Sequence, residues 1–202
     1  MKTSKFLTIT VIISIIFLLN SCLMLHLDEG NGRVVSQDRT AKNFTGVILE
    51  SVGNVTIYCG EEFNVVVTAD SNVQDKITAK VSGGNLIIDS KNYLRTTKIK
   101  IDVYMPELSY VKLEGAGSIM INDGSSSDLR VILSGVGNID ALNFEAENAD
   151  LTLSGAGDIK TWATRNLKCK LSGVGNIMYQ GDPSLNISIS GAGKIKKLNS
   201  ID

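Results

Sequence analysis

Residues 133–139 read Leu-Ser-Gly-Val-Gly-Asn-Ile, residues 153–159 Leu-Ser-Gly-Ala-Gly-Asp-Ile, and residues 171–177 return to Leu-Ser-Gly-Val-Gly-Asn-Ile. Two related copies flank them, Leu-Glu-Gly-Ala-Gly-Ser-Ile at 113–119 and Ile-Ser-Gly-Ala-Gly-Lys-Ile at 189–195. The first glycines, Gly115, Gly135, Gly155, Gly173 and Gly191, stand 20, 20, 18 and 18 residues apart. Self-similarity at a period of this size marks units that bury their apolar faces only against their neighbours. A fainter copy, Leu49-Glu50-Ser51-Val52-Gly53-Asn54-Val55, lies upstream.

Working outward from the glycines, apolar residues fall into columns. Two positions before the repeat's Leu or Ile stand Val111, Val131, Leu151, Cys169 and Ile187, and four before it Leu129, Ala149, Leu167 and Leu185. Past the glycines come Ile119, Ile139, Ile159, Ile177 and Ile195. Spacing by two predicts strands with one buried face, so each unit reads as strand, Gly-x-Gly corner, strand and return turn. A sharp corner needs backbone angles that a Cβ resists, and stacked corners lie about 4.8 Å apart. The residue between the glycines alternates Ala116, Val136, Ala156, Val174, Ala192. Alternating size suits interdigitation, though whether this column faces in or out stays open. The expected fold is all-β, a right-handed parallel β-helix or β-solenoid with Gly-x-Gly corners, because parallel crossovers are right-handed. Five clear copies give a stack rising about 24 Å. A charge at the centre of such a core has no partner, so Leu153→Asp is expected to unfold the middle of the stack.

The N-terminal half is also β-rich. Val47-Ile48-Leu49, Val55-Thr56-Ile57-Tyr58 and Phe63–Thr68 are β-branched runs, and residues 80–88 read as a hairpin around Gly83-Gly84. Lys98–Tyr104 alternates and stops before Pro106, and one helical turn is expected within Ser71–Lys76.

The chain opens with a basic Met1–Lys5 segment and a 14-residue apolar run, Phe6–Leu19. That is short for a membrane span and fits a secretory signal. Leu19-Asn20-Ser21-Cys22 resembles a lipobox, which implies cleavage before Cys22 and lipid attachment to it. Residues 1–21 are then a lipoprotein signal peptide, 22–37 the lipidated Cys22 and a tether, and 38–202 the β-solenoid domain. Two or more acyl chains on Cys22 suffice for stable anchoring. Leu23, not Asp, follows Cys22, which favours the outer membrane in a Gram-negative envelope.

Losing residues 1–21 removes Lys2 and Lys5 and no acid, so the formal net charge moves from −1 to −3. No basic field exists for nucleic acid. Once Cys22 carries lipid, Cys59 and Cys169 remain. Cys169 alternates with Leu167 and Leu171 and reads as a small buried hydrophobe. Cys59 is less defined, and a Cys59–Cys169 bridge is an open alternative.

The order VILESVGNVTIY, FNVVVTADSNVQDKI, a glycine-turn hairpin, TKIKIDVYMPEL and serial SGxGxI corners resembles the putative auto-transporter adhesin, head GIN domain family over residues 38–198. The resemblance implies a right-handed parallel β-helix on a secreted or lipid-anchored envelope protein. It implies no catalytic, cofactor-binding or metal-binding residue.

The residues agree with that. The sole histidine, His26, lies in the tether, leaving no imidazole base in the folded domain. The Gly-x-Gly pairs lack the third glycine and the helix of a dinucleotide fingerprint. Gly155-Ala156-Gly157-Asp158 hints at a calcium roll, but the equivalent positions are Ser118, Asn138, Asp158, Asn176 and Lys194, and one carboxylate in five builds no cation ladder. Arg130, Asp150 and Lys168, and Asp140 and Lys160, alternate in sign on neighbouring units, as a solvated face does. Trp162 reads as packing, with sugar stacking as the alternative. The expectation is a non-enzymatic outer-membrane lipoprotein, held by lipid at Cys22. It would present its solenoid for surface interaction, adhesion or glycan binding, with a glycan or an envelope or host surface protein as partner. The first alternative is a periplasmic structural module that self-assembles into homo-oligomers. The second is a carbohydrate-active β-helix enzyme, which a clustered carboxylate groove would favour.

Overall fold

The computed structural model describes residues 28–91, 94–95 and 98–198. Cys22, His26 and the signal segment lie outside them. The strands are β1 (Asp28–Glu29), β2 (Val34–Arg39), β3 (Gly46–Leu49), β4 (Val52–Cys59), β5 (Asn64–Asp70), β6 (Ile77–Ser82), β7 (Asn85–Ser90), β8 (Leu94–Arg95) and β9 (Lys100–Met105). They continue as β10 (Tyr110–Leu113), β11 (Ala116–Asp123), β12 (Ser125–Leu133), β13 (Val136–Leu153), β14 (Ala156–Leu171), β15 (Val174–Gln180), β16 (Ser184–Ile189) and β17 (Ala192–Lys197). Among the described residues there is no α-helix, and the turn expected near Lys76 is a 3₁₀ turn, Gln74–Lys76. The expected all-β class holds.

The repeats stack in parallel with the register the sequence implies. Val131 pairs with Leu151 and Ile139 with Ile159; Leu151 pairs with Cys169 and Ile177 with Ile195. The strand before each glycine pair lies on one face and the strand after it on the other, with the apolar columns between them. The faint copy is the first member of the stack: Leu49 pairs with Leu113, Gly53 with Gly117 and Val55 with Ile119. Ser51 replaces glycine there, and its hydroxyl donates to Ser90 Oγ at 2.6 Å.

The parallel expectation fails in the N-terminal half. β7 and β9 still lie parallel on β3 and β4. Beyond them, β5 runs antiparallel to β9, β2 to β5, and β6 to β7. The sheet is therefore mixed and bends around the core. For β6 and β7 the reason is local. Gly83 and Gly84 sit at φ +57° and +75°, the geometry of a tight two-residue hairpin, which forces antiparallel neighbours. These strands close one end of the stack. There Gln74, 1% exposed, donates through Nε2 to Val35 O (2.7 Å) and Val67 O (2.9 Å), and its Oε1 accepts from Arg39 Nη2 (2.9 Å).

At the corners the two glycines of a pair do different work. A Cβ on Gly155 would lie 2.0 Å from Gly135 O, so the coil beneath leaves no room for one. Gly157 has the same problem, 1.7 Å from Gly137 O, and also sits at φ +137°. Crowding arises because backbone bonds continue through the corner, where Val136 N donates to Gly115 O at 2.9 Å and Ala156 N to Gly135 O at 2.9 Å. The residue between the glycines points outward, with Val136 and Val174 each 61% exposed. Its size alternation is therefore a surface pattern and not core interdigitation.

The step from 20 to 18 residues is absorbed at the return turn. Ala141 pairs with Thr161 but Glu145 with Trp162, which loops out Leu142, Asn143 and Phe144, and a second shift between Ala146 and Asn148 gives one residue back to β14, a net step of two. The Phe144 ring fills the core at that turn. Trp162 itself is only partly buried and lies outside the core. It follows buried Thr161, so alternation turns it outward. Cys169 is buried as expected, and both Cys59 and Cys169 are free thiols, which removes the bridge.

Candidate functional site

The return turns line up along one side of the stack, opposite the glycine corners, and form a groove. Pro106 follows the end of β9, and the chain passes through Glu107-Leu108-Ser109 into β10. Gly124, at φ +115°, turns the chain from β11 into Ser125-Ser126-Ser127-Asp128 at the head of β12. Glu145 and Glu147 lie beside that segment on β13. Backbone bonds fix these pieces: Ser109 N donates to Thr45 O (2.9 Å), Arg130 N to Ser109 O (2.9 Å) and Glu145 N to Gly124 O (3.0 Å). Between them lies a cavity of about 690 Å³ lined by Thr45, four serines and four carboxylates, Glu107, Asp128, Glu145 and Glu147.

The carboxylates divide into two pairs. Asp128 begins an amide ladder, in which Asn148 Nδ2 donates to Asp128 Oδ1 (3.1 Å) and Asn166 Nδ2 to Asn148 Oδ1 (2.8 Å). Glu147 Oε2 accepts from Arg165 Nη1 at 2.9 Å. Glu107 and Glu145 are exposed and, among the described residues, their carboxylates make no hydrogen bond or ion pair. Trp162 stands next to Glu145 in register, one coil along. The site therefore offers hydroxyls, two uncommitted acceptors and an adjacent indole. That set suits a ligand rich in hydroxyl donors.

Sequence reading did not find this groove. Its carboxylates lie in the turns between columns, where no period marks them, and Glu107 and Glu145 meet only because an N-terminal segment and the third coil are stacked. The Ser125–Ser127 run was its one legible signal. Other expectations resolve elsewhere. The corner polar residues bond to one another: Asp158 N donates to Asn138 Oδ1 (3.0 Å) and Asn176 N to Asp158 Oδ1 (2.7 Å). Among the described residues no three His, Cys, Asp or Glu side chains are placed to hold one metal ion. Lys160 Nζ reaches Asp140 at 3.1 Å and Lys168 Nζ reaches Asp150 at 3.0 Å, the cross-coil pairing read from the alternating signs. Cys22 lies outside the described residues.

The family described as "Putative auto-transporter adhesin, head GIN domain" matches residues 43–123 and again 111–183. The chain is similar to a putative adhesin of Bacteroides fragilis NCTC 9343, with 20% identity, a TM-score of 0.56, and coverage of 84% of this chain and 99% of that one. It is similar to a putative adhesin of Parabacteroides distasonis ATCC 8503, at 17% identity and TM-score 0.45, covering 85% and 100%. A putative lipid binding protein of the same strain has 22% identity and TM-score 0.37, covering 86% and 100%. No curated protein matches.

Proposed function

Because the chain belongs to the putative auto-transporter adhesin, head GIN domain family, we propose that it is a non-enzymatic cell-envelope protein that holds a stiff β-stack out from a membrane for surface contact. The stack is a right-handed coil, anchored through lipid on Cys22 in the outer membrane, and the groove beside Ser125–Asp128 is its contact site for glycans. The observation that carries this reading is the groove itself, with Glu107 and Glu145 uncommitted and Trp162 adjacent. Carboxylates accept hydrogen bonds from sugar hydroxyls, and an indole face packs on a sugar ring through its apolar area. The tether supports the orientation. β1 lies at the closed end, where Asn72 Nδ2 donates to Glu29 O at 2.8 Å, so an anchor preceding it leaves the rest of the stack projecting away.

Two measurements test this. Protease shaving of intact cells should cleave the wild-type protein at the surface, and a Cys22→Ala strain should release it from the membrane fraction. Protection until the outer membrane is opened refutes outward display. A glycan array with the full chain should give hits that Glu145→Gln and Trp162→Ala each weaken at least tenfold. An array without hits removes the glycan.

The carboxylate cluster favours a second reading, a carbohydrate-active enzyme. Hydrolysis needs one carboxyl shielded well enough to keep its proton, and both uncommitted carboxylates are exposed. New reducing ends from an array-positive oligosaccharide, lost in Glu107→Gln, establish the enzyme instead.

A further inference from the structure

We propose that the groove is one end of a longer cleft, and that Arg130 at the other end takes the carboxylate of an acidic sugar; this rests on the reading of the groove as a glycan contact site. The ligand is then an oligosaccharide with one uronate among neutral sugars. A second cavity, of about 270 Å³, adjoins the first and shares Ser109 and Asp128 with it. It runs along the strand face past Arg130, Asp150 and Lys168. Asp128 and Arg130 flank Leu129, which is 2% exposed, so both side chains point outward on one face. On β12, Ser125 stands beside Glu145 and Arg130 beside Asp150. Those two points are roughly 16 Å apart along the strand, more than one sugar ring covers.

The two ends of this cleft differ in charge. At the return turns stand Glu107, Asp128, Glu145 and Glu147. Past Asp128 stand Arg130 and Lys168, with Asp150 between them in register. Both carboxylates beside Arg130 are engaged elsewhere. Asp128 Oδ1 accepts from Asn148 Nδ2 at 3.1 Å, and Asp150 Oδ2 accepts from Lys168 Nζ at 3.0 Å. The backbone of Arg130 is fixed, its N–H donating to Ser109 O at 2.9 Å. Its side chain is exposed and, among the described residues, its guanidinium makes no hydrogen bond or ion pair. A guanidinium is a planar fork that matches a carboxylate with two parallel hydrogen bonds.

Repulsion sets the rest of the ligand. A carboxylate on the rings over the return turns would face Glu107 and Glu145, and like charges brought together oppose binding. Neutral rings there donate their hydroxyls to the same two acceptors. A carboxylate held at Arg130 is roughly 16 Å from the Glu145 end, and charges are screened beyond about 8 Å at physiological salt. The cleft therefore fixes a direction along the oligosaccharide, with the acid over Arg130 and neutral rings over the serines. It turns away a chain with a carboxylate on every ring.

The test is titration calorimetry of the full chain with four tetrasaccharides. The first has three neutral hexoses ending in one hexuronate, the second is its carboxyl-reduced form, the third carries a sulfate in place of the carboxylate, and the fourth is a tetrauronate. The first should bind about fivefold more tightly than the second, the size of an exposed but forked pair, and the gap should close in about 1 M salt. Arg130→Gln should abolish the gap without changing affinity for the reduced form, and Arg130→Lys should keep only part of it. Arg130 is on the surface, so both variants should melt with the wild type. Equal binding of the first two probes, a gap that survives Arg130→Gln, or tighter binding of the sulfated probe or the tetrauronate overturns the proposal. Glu145→Gln separates it from the groove reading. If Glu145→Gln weakens every probe while Arg130→Gln changes nothing, the groove stands and the acidic end falls. If only Arg130→Gln has an effect, the acidic end stands without the groove. No binding of any probe removes both.

Discussion

At the residue scale, two neighbouring positions of the repeat differ in what they tolerate. Gly157 combines φ +137° with a carbonyl 1.7 Å from where a Cβ would sit. The backbone strain alone costs about 1–3 kcal/mol, and the clash must displace the coil beneath. Gly157→Ala is therefore expected to destabilise by at least about 3 kcal/mol in urea unfolding. Val136 is 61% exposed on the same kind of corner, and Val136→Ala should change stability by less than about 0.5 kcal/mol. The thiols make a second residue-scale case. Burial, with Asp123 nearby for Cys59 and Asp150 for Cys169, pushes each up from 9.0 to about 12. At pH 8 a thiol reagent should label neither in the folded protein and both after unfolding. The folded state holds these protons more tightly than the unfolded one. The stability this gives is present below pH 9 and is lost as the pH rises from 9 towards about 12. Unfolding midpoints across that range check the sign, and a midpoint that rises contradicts it.

At the element scale, β13 and β14 show how two coils of unequal length share one register. Three residues of the longer coil leave the ladder at Leu142–Phe144, β14 recovers one of them past Ala163, and the corner glycines stay aligned, Gly137 on Gly157. A shift at the corner would set Cβ atoms against carbonyls, whereas a return turn has room to bulge. The bulge is stabilised by the Phe144 ring, 0% exposed. Phe144→Ala should cost about 3–5 kcal/mol and loosen the turn beside Glu145 and Glu147. Calorimetry measures the first effect. A loss below about 1 kcal/mol would mean that the bulge holds itself open through its backbone alone.

At the scale of the whole molecule, burial is uneven along the stack, and the last described coil has Leu185, Ile187 and Ile189 at 47%, 42% and 49% exposed. Local opening is easiest where burial is least. Amides of β16 and β17 should therefore exchange hydrogen fastest among the core strands, and those of β4 and β11 slowest, as read by mass spectrometry. The division between sequence and tertiary structure follows the same line. Period-two columns and glycine pairs fix what each residue meets in the coil directly above or below, so the repeats, their register, buried Cys169 and the faint first coil at Leu49–Val55 were legible. The hairpin at Gly83-Gly84 was legible too, because two residues set its turn. The antiparallel closure at the N-terminal end was not, since runs such as Asn64–Asp70 carry alternation without direction. Nor was the outward aim of Val136, which depends on how the corner breaks parity. The groove lay beyond reach for a different reason. Glu107 and Glu145 belong to segments that no local pattern connects, and they come together only because the stack places one return turn beside another.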